Sequence, residues 1–309
     1  MTLSKFPAQY FSLASTSRRL AYSTVGDANS NHVLLCLPGL LETRATFEPL
    51  LLAAQSVPGL RVISLDLCGR GDSDPLPQDS GYAMSVYVQD TAQFVREVLM
   101  PDGAPVPRIE VLGTSMGGIL AMYLAQDAAL HIQGLILNDI GLSLSWMAIF
   151  GLYENMKQDG RVPTAPELAQ RLHVSVGAVE AVQSSTHFDL PYKKDWKGMR
   201  FAHLLKTFKG PVRWVYGGES RVFMQEQLNE IKRLLPGSPL FLVAGAVHPA
   251  PYTDAVCDFV LTTLKPEPVV HKKHADFIQQ DLWAPTTSPG QDQGFWPWLK
   301  RRYLSAKAK

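Results

Sequence analysis

Short apolar runs alternate with helical patterns along residues 10–264 of this chain. Residues 10–25 alternate apolar and polar side chains around a polar turn, which is typical of an antiparallel hairpin. Helical patterns follow at about 45–56, 83–99, 117–129, 222–235 and 252–264. Between them lie six apolar runs typical of strands buried on both faces, which are Val33–Leu37, Arg61–Leu65, Ile109–Leu112, Gly134–Leu137, Val212–Tyr216 and Leu240–Ala244. This order predicts an α/β fold with a mostly parallel, eight-stranded sheet flanked by helices.

One long stretch interrupts the alternation of strands and helices. Residues 141–206 contain helical patterns and no predicted strand, so we expect a helical cap that interrupts a core of residues 1–265. Right-handed crossovers bring the carboxyl ends of parallel strands to one edge of the sheet, which the cap is expected to cover. Three aromatic residues of the insert, Trp146, Phe150 and Tyr153, either line an apolar substrate pocket or anchor the cap to the core.

The composition of the chain changes after a proline-containing linker that follows Leu264. Residues 266–309 form a C-terminal extension with three tryptophans and a basic end, a mixture typical of an interfacial anchor. The same residues suit packing against the core or a second subunit, which is the favoured interpretation. We therefore expect either a homo-oligomer contact or a peripheral interface here, and no integral membrane segment, because no apolar run is long enough.

Composition and charge narrow the class of protein. The 309 residues are 46% hydrophobic and 18% charged, which suits one enlarged α/β domain. The formal net charge of +1 gives no reason to expect nucleic acid as a partner. The three cysteines, Cys36, Cys68 and Cys257, are odd in number and widely spaced, which argues against a disulfide framework. Without an apolar signal segment at the N-terminus, these features predict a cytoplasmic protein.

The segment Gly113-Thr-Ser-Met-Gly-Gly118 carries the clearest chemical signal. An apolar strand pattern precedes this Gly-x-Ser-x-Gly run and a small-residue helical pattern follows it, so Ser115 is predicted to sit on a sharp strand-to-helix turn with its hydroxyl exposed. Side chains at Gly113 and Gly117 would collide across that turn. The amide of Met116 begins the helix, where it can stabilise negative charge on a substrate carbonyl oxygen.

A serine nucleophile needs a general base, and histidine is the usual one. Of the eight histidines, only His248 follows a predicted core strand, and it comes after Ser115 in chain order. The other seven lie in linkers, the insert or the extension. His248 is therefore predicted to be the base.

Taken together, these residues resemble the α/β-hydrolase superfamily over about residues 10–264, and in particular bacterial esterase-like members with a Gly-Thr-Ser-Met-Gly-Gly elbow. Leu37-Pro-Gly-Leu40 matches the family's oxyanion turn, and Asp66-Leu-Cys-Gly-Arg-Gly-Asp-Ser73 matches its Asp-x-x-Gly-x-Gly-x-Ser turn. The resemblance implies a cofactor-free hydrolase with a helical cap. The acidic residues of the second turn then belong to a tight loop, so no metal site is predicted.

Two positions depart from the family pattern. Pro38 stands where the family usually has a histidine, but the second oxyanion donor of the fold is a backbone amide, so Leu40 N–H can still serve. The strand ending at Gly217 is followed by Gly-Glu-Ser-Arg, which lacks the usual aspartate. We prefer Asp139 as the acid that orients His248, since some members take their acid from that loop. Glu219 is the alternative acid, and a third possibility is that His248 has no acidic partner. Asp139 has the structural alternative of capping the first helix of the cap.

These residues predict a serine hydrolase that cleaves an ester-type bond of a small molecule, as a carboxylesterase or thioesterase does, through an acyl-enzyme. Two other classes remain open. One is a ligand-binding protein on a hydrolase scaffold, which would bind without turnover. The other is a cofactor-free lyase on the same fold, which product analysis would distinguish.

Overall fold

A computed structural model describes residues 4–77, 81–145, 148, 163–184 and 198–264. Its strands are β1 Gln9–Ser12, β2 Arg19–Gly26, β3 His32–Leu37, β4 Arg61–Leu65, β5 Arg108–Thr114, β6 Ile132–Asn138, β7 Ser143–Ser145, β8 Gly198–Arg200, β9 Val212–Gly217 and β10 Leu240–Val243. Its α-helices are α1 Glu48–Ala54, α2 Met84–Phe94, α3 Met116–Leu124, α4 Ala165–Leu172, α5 Val176–Ser184, α6 Ala202–Lys206, α7 Gln225–Leu234 and α8 Asp254–Leu264.

Eight strands form one sheet in the order β1-β2-β4-β3-β5-β6-β9-β10. The pairs β1–β2 and β2–β4 are antiparallel, and the remaining pairs are parallel. The predicted α/β fold with a mostly parallel, eight-stranded sheet is therefore confirmed. Parallel strands end at a common edge. The loops that follow β3, β5, β6, β9 and β10 consequently meet there, and every candidate catalytic residue lies in one of them.

The core lies on both faces of the sheet because successive strand residues point to opposite sides. In β3, Leu35 packs in the larger apolar cluster with residues of α2 and α3, whereas Leu34 packs in a second cluster with residues of α1 and α8. In β9, Trp214 and Val215 divide between the same two clusters. This burial on both faces accounts for the near-continuous apolar runs in the sequence.

The insert contains helices and also a feature that the sequence did not predict. Helices α4 and α5 bury a third apolar cluster with Leu41, which lies in the loop after β3. The short strands β7 and β8 pair as an antiparallel ribbon, so the expectation of an insert without strands was wrong. Strands of three residues are too short to show an alternating pattern, and only Leu144 and Met199 turn buried side chains toward the core.

Several predictions fall on residues that the structure does not describe. The aromatic residues Trp146, Phe150 and Tyr153 and the extension 266–309 lie outside the described residues. Within the described part of the chain, no helix combines the length and the apolar character needed to cross a membrane.

Candidate active site

Ser115 occupies a strained turn between β5 and α3. Its backbone φ is 49° and its ψ is −113°, a conformation that a residue with a side chain adopts only when its surroundings impose it. The Ser115 amide donates to the carbonyl oxygen of Asn138 at 2.8 Å, and the Gly118 amide donates to the Ser115 carbonyl oxygen at 2.9 Å. The serine is therefore held at the junction of strand and helix.

The glycines on either side of Ser115 make this turn sterically possible. A Cβ atom on Gly113 would overlap the backbone of Gly117 and Gly118. A Cβ atom on Gly117 would overlap the carbonyl oxygens of Leu37 and Pro38. The predicted collision is confirmed, and the second overlap also shows that the loop after β3 lies directly against the first turn of α3.

We expect Gly117→Ala to lower the free energy of unfolding by about 3 kcal/mol, because the added methyl meets backbone atoms that cannot rotate away. Gly81→Ala is the matched control, since a Cβ atom there would meet nothing within 4 Å. The control should stay within about 0.5 kcal/mol of the wild type. Urea unfolding followed by circular dichroism measures both, and equal stability of the two variants would contradict the expectation.

Three side chains from three loops join in a line of hydrogen bonds. Nε2 of His248 lies 2.8 Å from Oγ of Ser115. Nδ1 of the same ring lies 3.1 Å from Oδ2 of Asp139, whose side chain is fully buried. The other carboxylate oxygen of Asp139 accepts the Gly217 amide at 3.3 Å. A hydroxyl, an imidazole and a buried carboxylate are thus arranged so that a proton can pass from Ser115 to His248.

Glu219, the alternative acid, lies elsewhere. Its residue is exposed, and its amide donates to the Ala246 carbonyl oxygen at 2.9 Å. Among the described residues its carboxylate has no hydrogen bond to His248. The Asp139 carboxylate contacts His248 and Gly217. The alternative in which Asp139 caps the first helix of the cap stays a prediction, because residues 149–162 lie outside the described part of the chain.

Two pairs of residues hold the His248 loop against the loops of Ser115 and Asp139. Thr114 Oγ1 lies 2.7 Å from the hydroxyl oxygen of Tyr252, and burial raises the pKa of that tyrosine well above its ordinary value. The side-chain amide of Asn138 donates to the Ala250 carbonyl oxygen at 2.9 Å. Sequence reasoning missed both pairs. The available signal was that Thr114 and Asn138 directly precede Ser115 and Asp139 and are polar at otherwise apolar strand ends.

The aspartates of the turn after β4 form ion pairs with arginines. The fully buried Asp66 accepts the Arg44 guanidinium, which also reaches Asp72 at 2.6 Å. Asp74 pairs with Arg19 at 3.0 Å. Burial raises the pKa of Asp66, and the Arg44 charge opposes that rise.

Cys68 lies in the same turn, and its thiol is buried. Burial raises the pKa of the Cys68 thiol to about 12. The group therefore stays protonated at neutral pH and is a poor nucleophile.

Comparison with known proteins agrees with this fold. The sequence model of the family described as alpha/beta hydrolase fold matches residues 32–171. The chain is 33% identical to the 3-hydroxybutyrate-oligomer hydrolase of Cupriavidus necator, over 69% of this chain and 81% of that protein. It is 24% identical to the sn-1-specific diacylglycerol lipase ABHD11 of Mus musculus, over 78% of this chain and 85% of that protein.

A solved structure shares the fold. An α/β hydrolase from Novosphingobium aromaticivorans superposes with a TM-score of 0.60, at 21% identity, over 85% of this chain and 99% of that one. The strand order and the turn at Ser115 agree with this family. So does the 33% identity to a hydrolase, which covers 81% of that protein. This chain is a hydrolase that belongs to the α/β-hydrolase superfamily.

Proposed function

We propose that this protein is a serine hydrolase that cleaves ester-type bonds, as a carboxylesterase or a thioesterase does, through an acyl-enzyme intermediate. The observation that carries the proposal is the line of hydrogen bonds from Ser115 through His248 to Asp139. A serine so placed, on a strained turn at the start of a helix, can be activated without a metal or a cofactor.

In the proposed reaction, Ser115 Oγ attacks the acyl carbonyl carbon while His248 Nε2 takes the serine proton. Asp139 holds the Nδ1–H tautomer of the ring and stabilises the imidazolium. The amides of Leu40 and Met116 receive the developing oxyanion. His248 then returns the proton to the leaving alcohol or thiol, and it later activates a water that releases the acid.

The relatives support an ester as the bond that is cleaved. By their names, one acts on oligomers of 3-hydroxybutyrate and another on diacylglycerol, and both kinds of molecule contain carboxylic esters. A thioester presents the same carbonyl carbon to the serine and a better leaving group. The proposal therefore covers both classes, with the acyl chain to be established by experiment.

The test combines covalent labelling with a substrate panel. A fluorophosphonate should attach to Ser115 of the folded protein, as located by peptide mass spectrometry, and heat-denatured protein should not be labelled. The panel comprises p-nitrophenyl esters of two to eight carbons and the matching acyl thioesters, and free acid should be the product. A folded protein that is neither labelled nor active would overturn the proposal. Tight binding of panel members without turnover would instead indicate a ligand-binding protein, and other products a lyase.

A further inference from the structure

The loop after β3 lacks the family histidine. A side chain of the loop itself, Glu42, holds its backbone instead. The Gly39 amide donates to Oε2 of Glu42 at 2.8 Å, and the Glu42 amide donates back to the Gly39 carbonyl oxygen at 3.3 Å. Burial raises the pKa of Glu42, whereas the Gly39 amide and the nearby His248 favour its ionised form. The carboxyl group is thus held inside the loop, close to the base of the candidate site.

This arrangement decides which amide of the loop is available to a substrate. The Gly39 N–H is occupied by Glu42, so it cannot serve as a donor to a ligand. The next amide, Leu40 N–H, has no acceptor among the residues that the structure describes. An oxyanion hole requires an unoccupied donor, and the loop that carries this one lies against the first turn of α3 at Leu37 and Pro38.

A second side chain, that of Arg70, binds the carbonyl group of Leu40. Nη2 of the buried Arg70 donates to the Leu40 carbonyl oxygen at 2.7 Å, and its Nη1 donates to the Cys68 carbonyl oxygen at 3.0 Å. The guanidinium also lies 5.0 Å from the ring centre of Tyr87 and 5.8 Å from that of Tyr82. A planar group with this many contacts has little freedom to turn.

The turn that carries Arg70 is joined to the segment between α4 and α5. The Gly71 amide donates to the His173 carbonyl oxygen at 2.9 Å, and the Ser175 amide donates to the Gly69 carbonyl oxygen at 2.7 Å. Leu41 packs in the same apolar cluster as α4 and α5. Helices α4 and α5 and the segment between them therefore contact the loop after β3 both directly and through the turn of Arg70.

We propose that Glu42 and Arg70 are positioning residues of the oxyanion hole. Glu42 binds the amide before the Leu40 N–H and Arg70 binds the carbonyl after it, so together they fix the backbone dihedral angles that aim this N–H at the substrate. The inference rests on the proposed serine-hydrolase function. In this inference, one side chain on the loop and one on a neighbouring turn support the loop backbone. They take the place of a histidine at position 38.

The primary test compares Glu42→Ala with Glu42→Gln on p-nitrophenyl butyrate. A misaimed donor weakens only the transition state, so Glu42→Ala should lower kcat about tenfold to a hundredfold with KM nearly unchanged. The rate of Ser115 labelling by a fluorophosphonate should fall by a similar factor. Glu42→Gln should keep most of the activity, because its amide oxygen can still accept the Gly39 N–H.

The control is Glu48→Ala, because Glu48 lies six residues along the chain and accepts the Lys5 amide outside the site. Its kcat should equal that of the wild type. All rates are divided by the amount of Ser115 that is labelled when the reaction with the fluorophosphonate is complete. This corrects for any loss of folded protein. If Glu42→Ala does not fold, Arg70→Lys provides the test, since lysine lacks the fork that spans two carbonyl oxygens, and the same loss in kcat is expected.

The outcomes separate this inference from the proposed function. A wild-type protein that is not labelled at Ser115 overturns both. A labelled wild type whose Glu42→Ala variant keeps kcat within twofold overturns the inference alone. It is also overturned if Glu42→Gln loses as much as Glu42→Ala, because the charge and not the hydrogen bond would then matter. A rise in KM at constant kcat would mean that Glu42 contacts the substrate and does not position the loop.

Discussion

Replacing Ser115 with alanine is expected to lower kcat for an activated ester by roughly 10⁶-fold, the scale found when a catalytic serine is removed. The hydroxyl lies 2.8 Å from Nε2 of His248, and the turn that carries it is held by backbone hydrogen bonds to Asn138 and Gly118. Removing one oxygen atom should therefore leave the fold and the site's shape in place while removing the proposed nucleophile. Stopped-flow measurement of p-nitrophenol release gives the steady-state rate and any initial burst, and the loss of both in the variant is the expected result.

Ser12→Ala is the matched control for this variant. Ser12 lies exposed at the end of β1, on the far edge of the sheet from the site. It should retain full activity and full labelling at Ser115. A Ser115→Ala variant that keeps even a tenth of the wild-type kcat would mean that another group performs the attack.

Asp139→Asn is expected to lower kcat by about 10⁴-fold. In the proposed mechanism, the carboxylate 3.1 Å from Nδ1 of His248 accepts the Nδ1–H and thereby leaves Nε2 free to take the serine proton. An asparagine can turn its NH₂ group toward Nδ1 instead, which places the ring proton on Nε2 and blocks its action as a base. Its size is nearly that of aspartate, so thermal unfolding should show that the variant remains folded.

Glu219→Gln is the control, because it makes the same chemical change in the residue that was the alternative acid. Its side chain is exposed, and we expect kcat within about twofold of the wild type. The reversed result, with Asp139→Asn active and Glu219→Gln impaired, would transfer the orienting role to Glu219. Equal activity of both variants would mean that His248 works without a carboxylate partner.

Much of the fold followed from the hydrophobic pattern. The runs at Val33–Leu37 and Val212–Tyr216 became inner strands of the sheet within one residue of their predicted bounds, because strands covered on both faces must be apolar along their length. The ribbon of β7 and β8 was missed for the opposite reason. Each strand has three residues, and a stretch so short carries no periodic signal.

The site residues also differ in how far the sequence could locate them. Ser115 could be located from sequence because its glycines and the flanking strand and helix patterns all lie within residues 109–129. His248 could be located because chain order and a strand before it distinguish it from seven others. The sequence favoured Asp139 over Glu219 chiefly through the family resemblance, since both residues follow strands that end at the same edge of the sheet.

The sequence by itself determined the eight strands of the main sheet, the sharp turn at Ser115 and the identity of its histidine partner, because these depend on local patterns and on chain order. Only the tertiary structure decided which carboxylate meets His248. It also decided that Tyr252 binds Thr114 and that Arg70 reaches the Leu40 carbonyl oxygen. These contacts join residues that are 30 to 138 positions apart, and their distances are set by the packing of the whole sheet.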